Sequence, residues 1–294
     1  MGNDNATIGK CQVFTAIRTS SFELKSIHLE VMKSFKWILF ITLSLYLGSY
    51  RTYGQLTEEE LAKIAQDPIA NIISVPVQNN TTYGVGPFNR TLNVTNIQPV
   101  IPLANGKIIA RVILPIVNQP NIFAESGNLN GFGDVNLSVF YTQKGKISWG
   151  AGPVFNLPTA GENLGINEWG MGPSIVGVIK PSNWVIGMLI NNVWSLESDN
   201  TALTVQPFIN YNLPKGYYLS TSPKAVANWN ANSDDRWTIP FGIGVGKLVK
   251  PKGFLPFNIQ VGADYLIESP ELSGGDWTFK VSFTALIPKA IFQK

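Results

Sequence analysis

Apolar and small polar residues alternate along most of this chain. The clearest examples are its last three strand-like runs, Trp237 to Gly246, Phe257 to Glu268 and Trp277 to Pro288. One face of each run is apolar throughout, and the opposite face is small and mostly uncharged. Because successive side chains of a β-strand point to opposite faces, a period of two predicts strands with one continuous apolar face.

Similar runs recur at about 20-residue intervals, and no long helical periodicity interrupts them, which favours an antiparallel all-β fold. The twelve runs are Ile72 to Gln78, Thr91 to Leu103, Lys107 to Val117, Asp134 to Thr142, Ile147 to Asn156, Trp169 to Ile179, Trp184 to Ser195, Ala202 to Leu213, Tyr217 to Trp229 and the three named above. A short helix is predicted before them, because Thr57 and Glu60 have the spacing of a capping box and Pro68 stops the helix.

Alternation alone fits both a soluble sandwich and a membrane barrel. A sandwich normally carries Lys and Glu on its polar face, whereas here that face carries the Gly, Ser, Thr and Asn that suffice around a lumen. Six tryptophans lie at or near strand ends, where membrane barrels have aromatic girdles, although core tryptophan is the alternative. They are Trp169, Trp184, Trp194, Trp229, Trp237 and Trp277.

Connections between the runs alternate between short and long, with Lys247 to Pro256 as a longer member of the short set. Outer-membrane barrels likewise have short periplasmic turns and long external loops. The short turns carry lysines without an acid, and the long loops carry most of the acids. Together these features predict a transmembrane, antiparallel, up-and-down β-barrel of about twelve strands in the outer membrane of a Gram-negative bacterium.

The first 54 residues have the character of a targeting segment. From Met32, a basic start, an apolar run from Trp37 to Leu47 and a small-residue exit form the parts of a secretory signal peptide. A membrane anchor is the weaker alternative, since a spanning helix needs about 20 apolar residues. We therefore expect a mis-annotated upstream extension at 1–31, a signal peptide at 32–54, a short periplasmic helix at 55–68 and the barrel at 69–294.

Charge and composition exclude several classes of function. Six of the 22 bases and three of the 19 acids lie in residues 1–54, so the rest of the chain is formally neutral and lacks the basic footprint of a nucleic-acid binder. Cys11 and His28, the only cysteine and histidine, also lie there. Beyond residue 54 a disulfide, a Cys/His zinc site and a His-based triad are excluded. We predict no cofactor, no metal and no catalytic residue.

Several motifs resemble a bacterial family of predicted outer-membrane proteins that is often mislabelled "neuromedin U". They are Ile73 to Asn80, Asn96 to Pro102, Gly150 to Pro153, Leu157 to Ala160, Gln206 to Asn212 and Trp237 to Pro240. The family resembles the proposed transporters of the phenol meta-degradation pathway, and the similarity covers nearly all of Ile69 to Pro288. It implies a transport-type barrel but no particular solute. The C-terminus departs from the usual aromatic assembly signal, because Gln293 and Lys294 follow Phe292.

The favoured function is a channel or transporter for an unidentified small solute, with outer-membrane lipid and the assembly machinery as partners. An outer-membrane hydrolase or a plugged structural barrel are the alternatives. If the apolar residues at every second position face lipid, five charged residues point into the lumen: Arg111, Asp134, Lys224, Asp264 and Lys280. They would line a narrow polar route in which Arg111 and Lys280 favour anionic or hydrogen-bond-accepting solutes. Mutual salt bridges that merely fill the barrel are the alternative.

Overall fold

The structure, a computed structural model, describes residues 56–287. It begins with one helix, α1 (Glu58–Ala65). The predicted capping box is confirmed: Glu60 N donates to Thr57 Oγ1 at 3.1 Å, and Thr57 N donates to Glu60 Oε2 at 2.8 Å. The predicted extension, signal peptide and C-terminal assembly signal lie outside the described residues.

Fifteen strand segments follow and form twelve barrel strands, because β2 with β3, β5 with β6 and β11 with β12 are each one barrel strand with an interruption. Their bounds are β1 (Ile73–Val85), β2 (Arg90–Ile97), β3 (Val100–Leu103), β4 (Ile108–Pro120), β5 (Asn128–Phe132), β6 (Val135–Gln143), β7 (Ile147–Leu157), β8 (Gly170–Ile179), β9 (Trp184–Ser195), β10 (Thr201–Asn212), β11 (Tyr217–Thr221), β12 (Ala225–Asn228), β13 (Trp237–Val249), β14 (Phe257–Glu268) and β15 (Trp277–Ile287).

Each barrel strand pairs antiparallel with its neighbours in the chain, and the sheet closes where β1 pairs with β15 from Ile73↔Ile287 to Tyr83↔Trp277. The predicted all-β, up-and-down barrel of twelve strands is therefore confirmed. Closure leaves no unpaired sheet edge, which is the condition for a sheet to cross a bilayer. Connections at one end of the barrel are short except for residues 250–256, and those at the other end are longer except for residues 86–89, so the barrel has a turn end and a loop end.

The apolar residues at every second position of the strands lie on the outside of the barrel. On β13, for example, Phe241 and Ile243 are exposed, whereas their inward neighbours Pro240 and Gly242 are buried. This inverts the arrangement of a soluble protein, in which the exposed face is polar. The exterior is that of a barrel surrounded by lipid.

A polar cluster on β1 and β2 departs from this pattern. Leu92 and Val94 line the lumen, so the alternate residues Asn93 and Thr95 face outward. Asn93 Nδ2 donates to Asn79 Oδ1 at 3.1 Å, and Asn79 Nδ2 donates to Thr95 Oγ1 at 2.8 Å. These mutual hydrogen bonds satisfy polar groups that lipid could not.

Candidate functional site: the barrel lumen

Two cavities occupy the lumen. The outer cavity, towards the loop end, has a volume of about 660 Å³. The inner cavity, of about 210 Å³, lies between the barrel wall and residues that precede β1. Seven residues line both cavities and define what we call the junction: Gln78, Gln98, Arg111, Leu189, Gln206, Ser222 and Lys280. Six of the seven are polar, so a solute that passed between the cavities would meet a hydrogen-bonding surface.

Two of the predicted lumen residues form an ion pair. Lys280 Nζ lies 2.6 Å from Asp264 Oδ2, and the two side chains are only 19% and 7% exposed. The lysine on β15 and the aspartate on β14 are diagonal neighbours, because Lys280 pairs with Gly262 and Asp264 pairs with Thr278. Asp264 Oδ1 is buried and accepts no hydrogen bond from the described residues. The pairing left open by the sequence thus occurs at this position.

Asp134 lies at the edge of the outer cavity and binds the loop that joins β7 to β8. Its Oδ1 accepts from the backbone N–H groups of Thr159 and Ala160, at 3.3 and 3.2 Å. Its Oδ2 accepts from those of Ile166 and Asn167, at 2.9 and 3.0 Å. Four backbone N–H groups satisfy much of the hydrogen-bonding capacity of this carboxylate. Asp134 therefore stabilises a loop at the mouth of the lumen.

Arg111 and Lys224 also line the outer cavity. Arg111, on β4, donates from Nη2 to Gln98 Oε1 at 2.7 Å. Lys224 lies in the interruption between β11 and β12, two residues after Ser222 of the junction, and lines the same cavity as Arg111. Within residues 56–287, neither has a carboxylate oxygen within 4 Å. This part of the lumen therefore carries uncompensated positive charge.

The residues from Leu56 to Ile72, here the N-terminal segment, pack across the turn end. Leu61 and Ala62 of α1 are fully buried in one apolar cluster with Leu248 and Leu286 of the barrel. Ile69 is fully buried in a second apolar cluster formed mainly by inward residues of the barrel strands. The segment thus occupies part of the lumen at the turn end with apolar side chains and leaves the inner cavity beside it.

Lysines of the short turns hold the N-terminal segment. Lys180 Nζ forms an ion pair with Asp67 Oδ2 at 2.6 Å, Lys250 Nζ donates to Leu56 O at 2.7 Å, and Lys144 Nζ donates to Ile69 O. Burial lowers the pKa of Lys144, against the opposing effect of nearby Asp67. Sequence reasoning missed this role, although the acid-free lysines of the short turns were its signal.

At the turn that follows β10, α1 makes a further contact. Lys215 N donates to Glu59 Oε1 at 2.6 Å, and this bond, after that of the glutamate's own backbone N–H, lowers the pKa of the Glu59 carboxyl. The positive end of the α1 dipole also lies beside this carboxylate. Helix and turn are therefore joined by charge-assisted hydrogen bonds.

The long loops are fixed by their own polar contacts. Glu168 Oε2 accepts from the hydroxyls of Ser195 and Ser198, each at 2.6 Å, and these bonds lower its pKa. Arg90 donates to the backbone carbonyls of Ala124 and Gly127 at 2.7 and 3.1 Å. Some acidic residues at the loop end, such as Glu168, therefore have a structural role, because they hold the long loops in place.

Among residues 56–287, no three His, Cys, Asp or Glu side chains come together in a way that could hold a metal ion. None of the helices described there is both long and apolar enough to span a bilayer.

Solved structures of outer membrane channels share this architecture. An outer membrane channel from Pseudomonas putida F1 aligns with a TM-score of 0.53 at 17% identity, over 74% of this chain and 94% of that one. The NanC porin aligns with a TM-score of 0.52 at 10% identity, over 72% of this chain and 98% of that one. At such identities the likeness establishes the fold.

Curated proteins give no match to this chain. A family model does match, across residues 74–265, which is more than half of the chain and extends from β1 into β14. The model carries the description "Putative MetA-pathway of phenol degradation". The match includes Arg111, Asp134, Lys224 and Asp264, and the chain belongs to this family.

Proposed function

We propose that this protein is a channel for small polar solutes in the outer membrane of a Gram-negative bacterium. The observation that carries the proposal is the pair of cavities that meet at a polar junction inside a barrel with an apolar exterior. A lumen lined by Gln, Asn, Ser and Lys can replace part of a solute's hydration. The fold of the P. putida channel and the NanC porin supports the same conclusion.

The five charged lumen residues have different parts in this proposal. Asp264 and Lys280 form a fixed dipole beside the route, and Asp134 orders the outer mouth. Arg111 and Lys224 provide positive charge along the outer cavity. The route therefore prefers anions to cations. No residue is assigned a catalytic role.

Reconstitution in planar bilayers tests this function through paired substitutions. Lys280→Gln leaves Asp264 without its cation, so we expect a lower anion-to-cation permeability ratio. Asp264→Asn leaves Lys280 without its anion, so the ratio should rise. Reversal potentials in a salt gradient measure both, and Lys107→Gln on a short turn serves as a charge-matched control.

Two results would contradict the proposal. One is wild-type protein, shown by heat-modifiable gel mobility to be folded, that neither conducts nor makes liposomes permeable to small sugars. The other is a conducting barrel in which both substitutions leave the permeability ratio unchanged.

A plugged structural barrel is the second candidate, and the packing of the N-terminal segment across the turn end favours it. The same measurements separate the two functions. A structural barrel would show no conductance and no solute uptake when folded, whereas a channel would show both.

A further inference from the structure

The charges in the lumen do not balance locally. Asp264 has Lys280 at 2.6 Å, and Asp134 has four backbone donors. These two acids are therefore committed to structure. Arg111 and Lys224 remain, and no carboxylate among the described residues lies within 4 Å of either. Two cations that line one cavity without a carboxylate partner favour the binding of an anion there.

Both side chains have donors to spare. A guanidinium has five N–H donors, and the structure gives Arg111 one side-chain hydrogen bond, to Gln98 Oε1 at 2.7 Å. An ammonium has three donors, and that of Lys224 makes no hydrogen bond or ion pair with residues 56–287. Arg111 is half-buried and Lys224 is exposed to the cavity, so both sets of donors are accessible to an ionised acceptor that enters it.

The surroundings supply the rest of a binding site. Gln206 Nε2 donates to Ser222 Oγ at 3.1 Å, and both residues line the junction with Arg111. The outer cavity, of about 660 Å³, is within the size range of small-molecule sites, which is about 300–1,000 Å³. The cavity therefore has room for a small organic ion as well as for water.

We propose that Arg111 and Lys224 form a binding subsite for the carboxylate of a small organic acid. The inference rests on the proposed channel function and names the chemical class of its solute. The planar fork of the arginine matches the two oxygens of a carboxylate, and the lysine adds a point charge from a neighbouring position. Gln206 and Ser222 provide further hydrogen-bonding groups, because they line the junction together with Arg111.

The test uses butyrate and its neutral near-isostere butyramide. In planar bilayers with chloride as the carrier, butyrate should reduce the wild-type current in a saturable way, whereas butyramide should not. Lys224→Gln removes one charge from a side chain that makes no hydrogen bond or ion pair with residues 56–287, and we expect about a tenfold higher half-blocking concentration, equivalent to about 1.4 kcal/mol. Arg111→Lys keeps the charge but removes the fork, so a loss of the same order is expected. Lys107→Gln should leave the block unchanged.

Calorimetric titration of folded protein in detergent with butyrate, butyramide and inorganic phosphate tests the subsite without conduction. Binding of butyrate that is weakened about tenfold in Lys224→Gln supports the subsite even if no current flows. A conducting wild type that responds equally to butyrate and butyramide would overturn the inference and leave the channel function intact. Phosphate binding as tight as that of butyrate would show a general anion site and overturn the carboxylate assignment.

Discussion

At two inward-facing positions of β13, only glycine leaves room for the neighbouring side chains in the lumen. Tyr218 is fully buried beside Gly246, and its hydroxyl accepts from Asn258 Nδ2 at 2.8 Å. A Cβ on Gly246 would overlap the phenol ring. A Cβ on Gly242 would likewise overlap the carboxylate of Asp264. The glycine-rich face of β13 is therefore the space that neighbouring strands fill with larger inward side chains.

We expect Gly246→Ala to destabilise the barrel by about 1–3 kcal/mol, because the added methyl forces the buried ring of Tyr218 out of its position. Gly177→Ala is the matched control, since no atom lies within 4 Å of the Cβ it would add. Urea unfolding in lipid vesicles, followed by tryptophan fluorescence, measures both changes. Equal stability of the two variants would contradict this account of β13.

Contacts between elements explain why the short turns are basic. Asp67 Oδ1 accepts from Ile69 N at 3.0 Å, and Asp67 Oδ2 binds Lys180, so one carboxylate connects the N-terminal segment to the turn after β8. The Asp67 side chain is 2% exposed in this pair. Removing one partner of a buried ion pair is costly, because the other charge stays without compensation.

We expect Asp67→Asn to loosen the N-terminal segment without unfolding the barrel. The Asn oxygen can still accept from Ile69 N, but the attraction to Lys180 is lost, at a cost of about 1–3 kcal/mol for a partly solvated pair. Hydrogen exchange read by mass spectrometry should accelerate in residues 56–72 and stay unchanged in β13 to β15. Asp199→Asn, on a long loop, is the control. Uniform exchange across all three proteins would show that this pair does not hold the segment.

Strand order, closure and the helix cap could be predicted from the sequence because they depend on local period and spacing. The end of β1 could not, since its polar residues from Asn79 to Thr82 break the alternation and are held by pairing with β2 and β15. The outward Asn93 was missed for the same reason, because its partner Asn79 is 14 positions away. Lumen exposure of Arg111 followed from alternation, whereas its lack of a carboxylate partner depends on tertiary geometry.

At the scale of the whole molecule, the distribution of apolar and polar side chains is the reverse of that in a soluble protein. Over residues 56–287, large apolar side chains cover the exterior, and charged groups are confined to the lumen, the turn end and the loop end. Aromatic pairs such as Tyr83 with Phe279 and Tyr265 with Trp277 lie near strand ends at the loop end, with ring centroids 5.8 and 5.2 Å apart. Amphipathic rings at that level stabilise a barrel at the boundary between lipid and water.

Adjacent positions in the middle of β9 give a direct test of this reversal. Ile190 is 41% exposed on the exterior, and Asn191 lines the outer cavity. We expect Ile190→Arg to destabilise the folded barrel in lipid vesicles by about 2–4 kcal/mol, because a guanidinium near the bilayer midplane loses its hydration. Asn191→Arg adds the same charge to a polar cavity, and although Arg111 and Lys224 of that cavity repel it, we expect it to cost less than Ile190→Arg. Urea unfolding in vesicles and heat-modifiable mobility measure both. A soluble sandwich would give the opposite order, since its exposed face tolerates arginine and its interior does not.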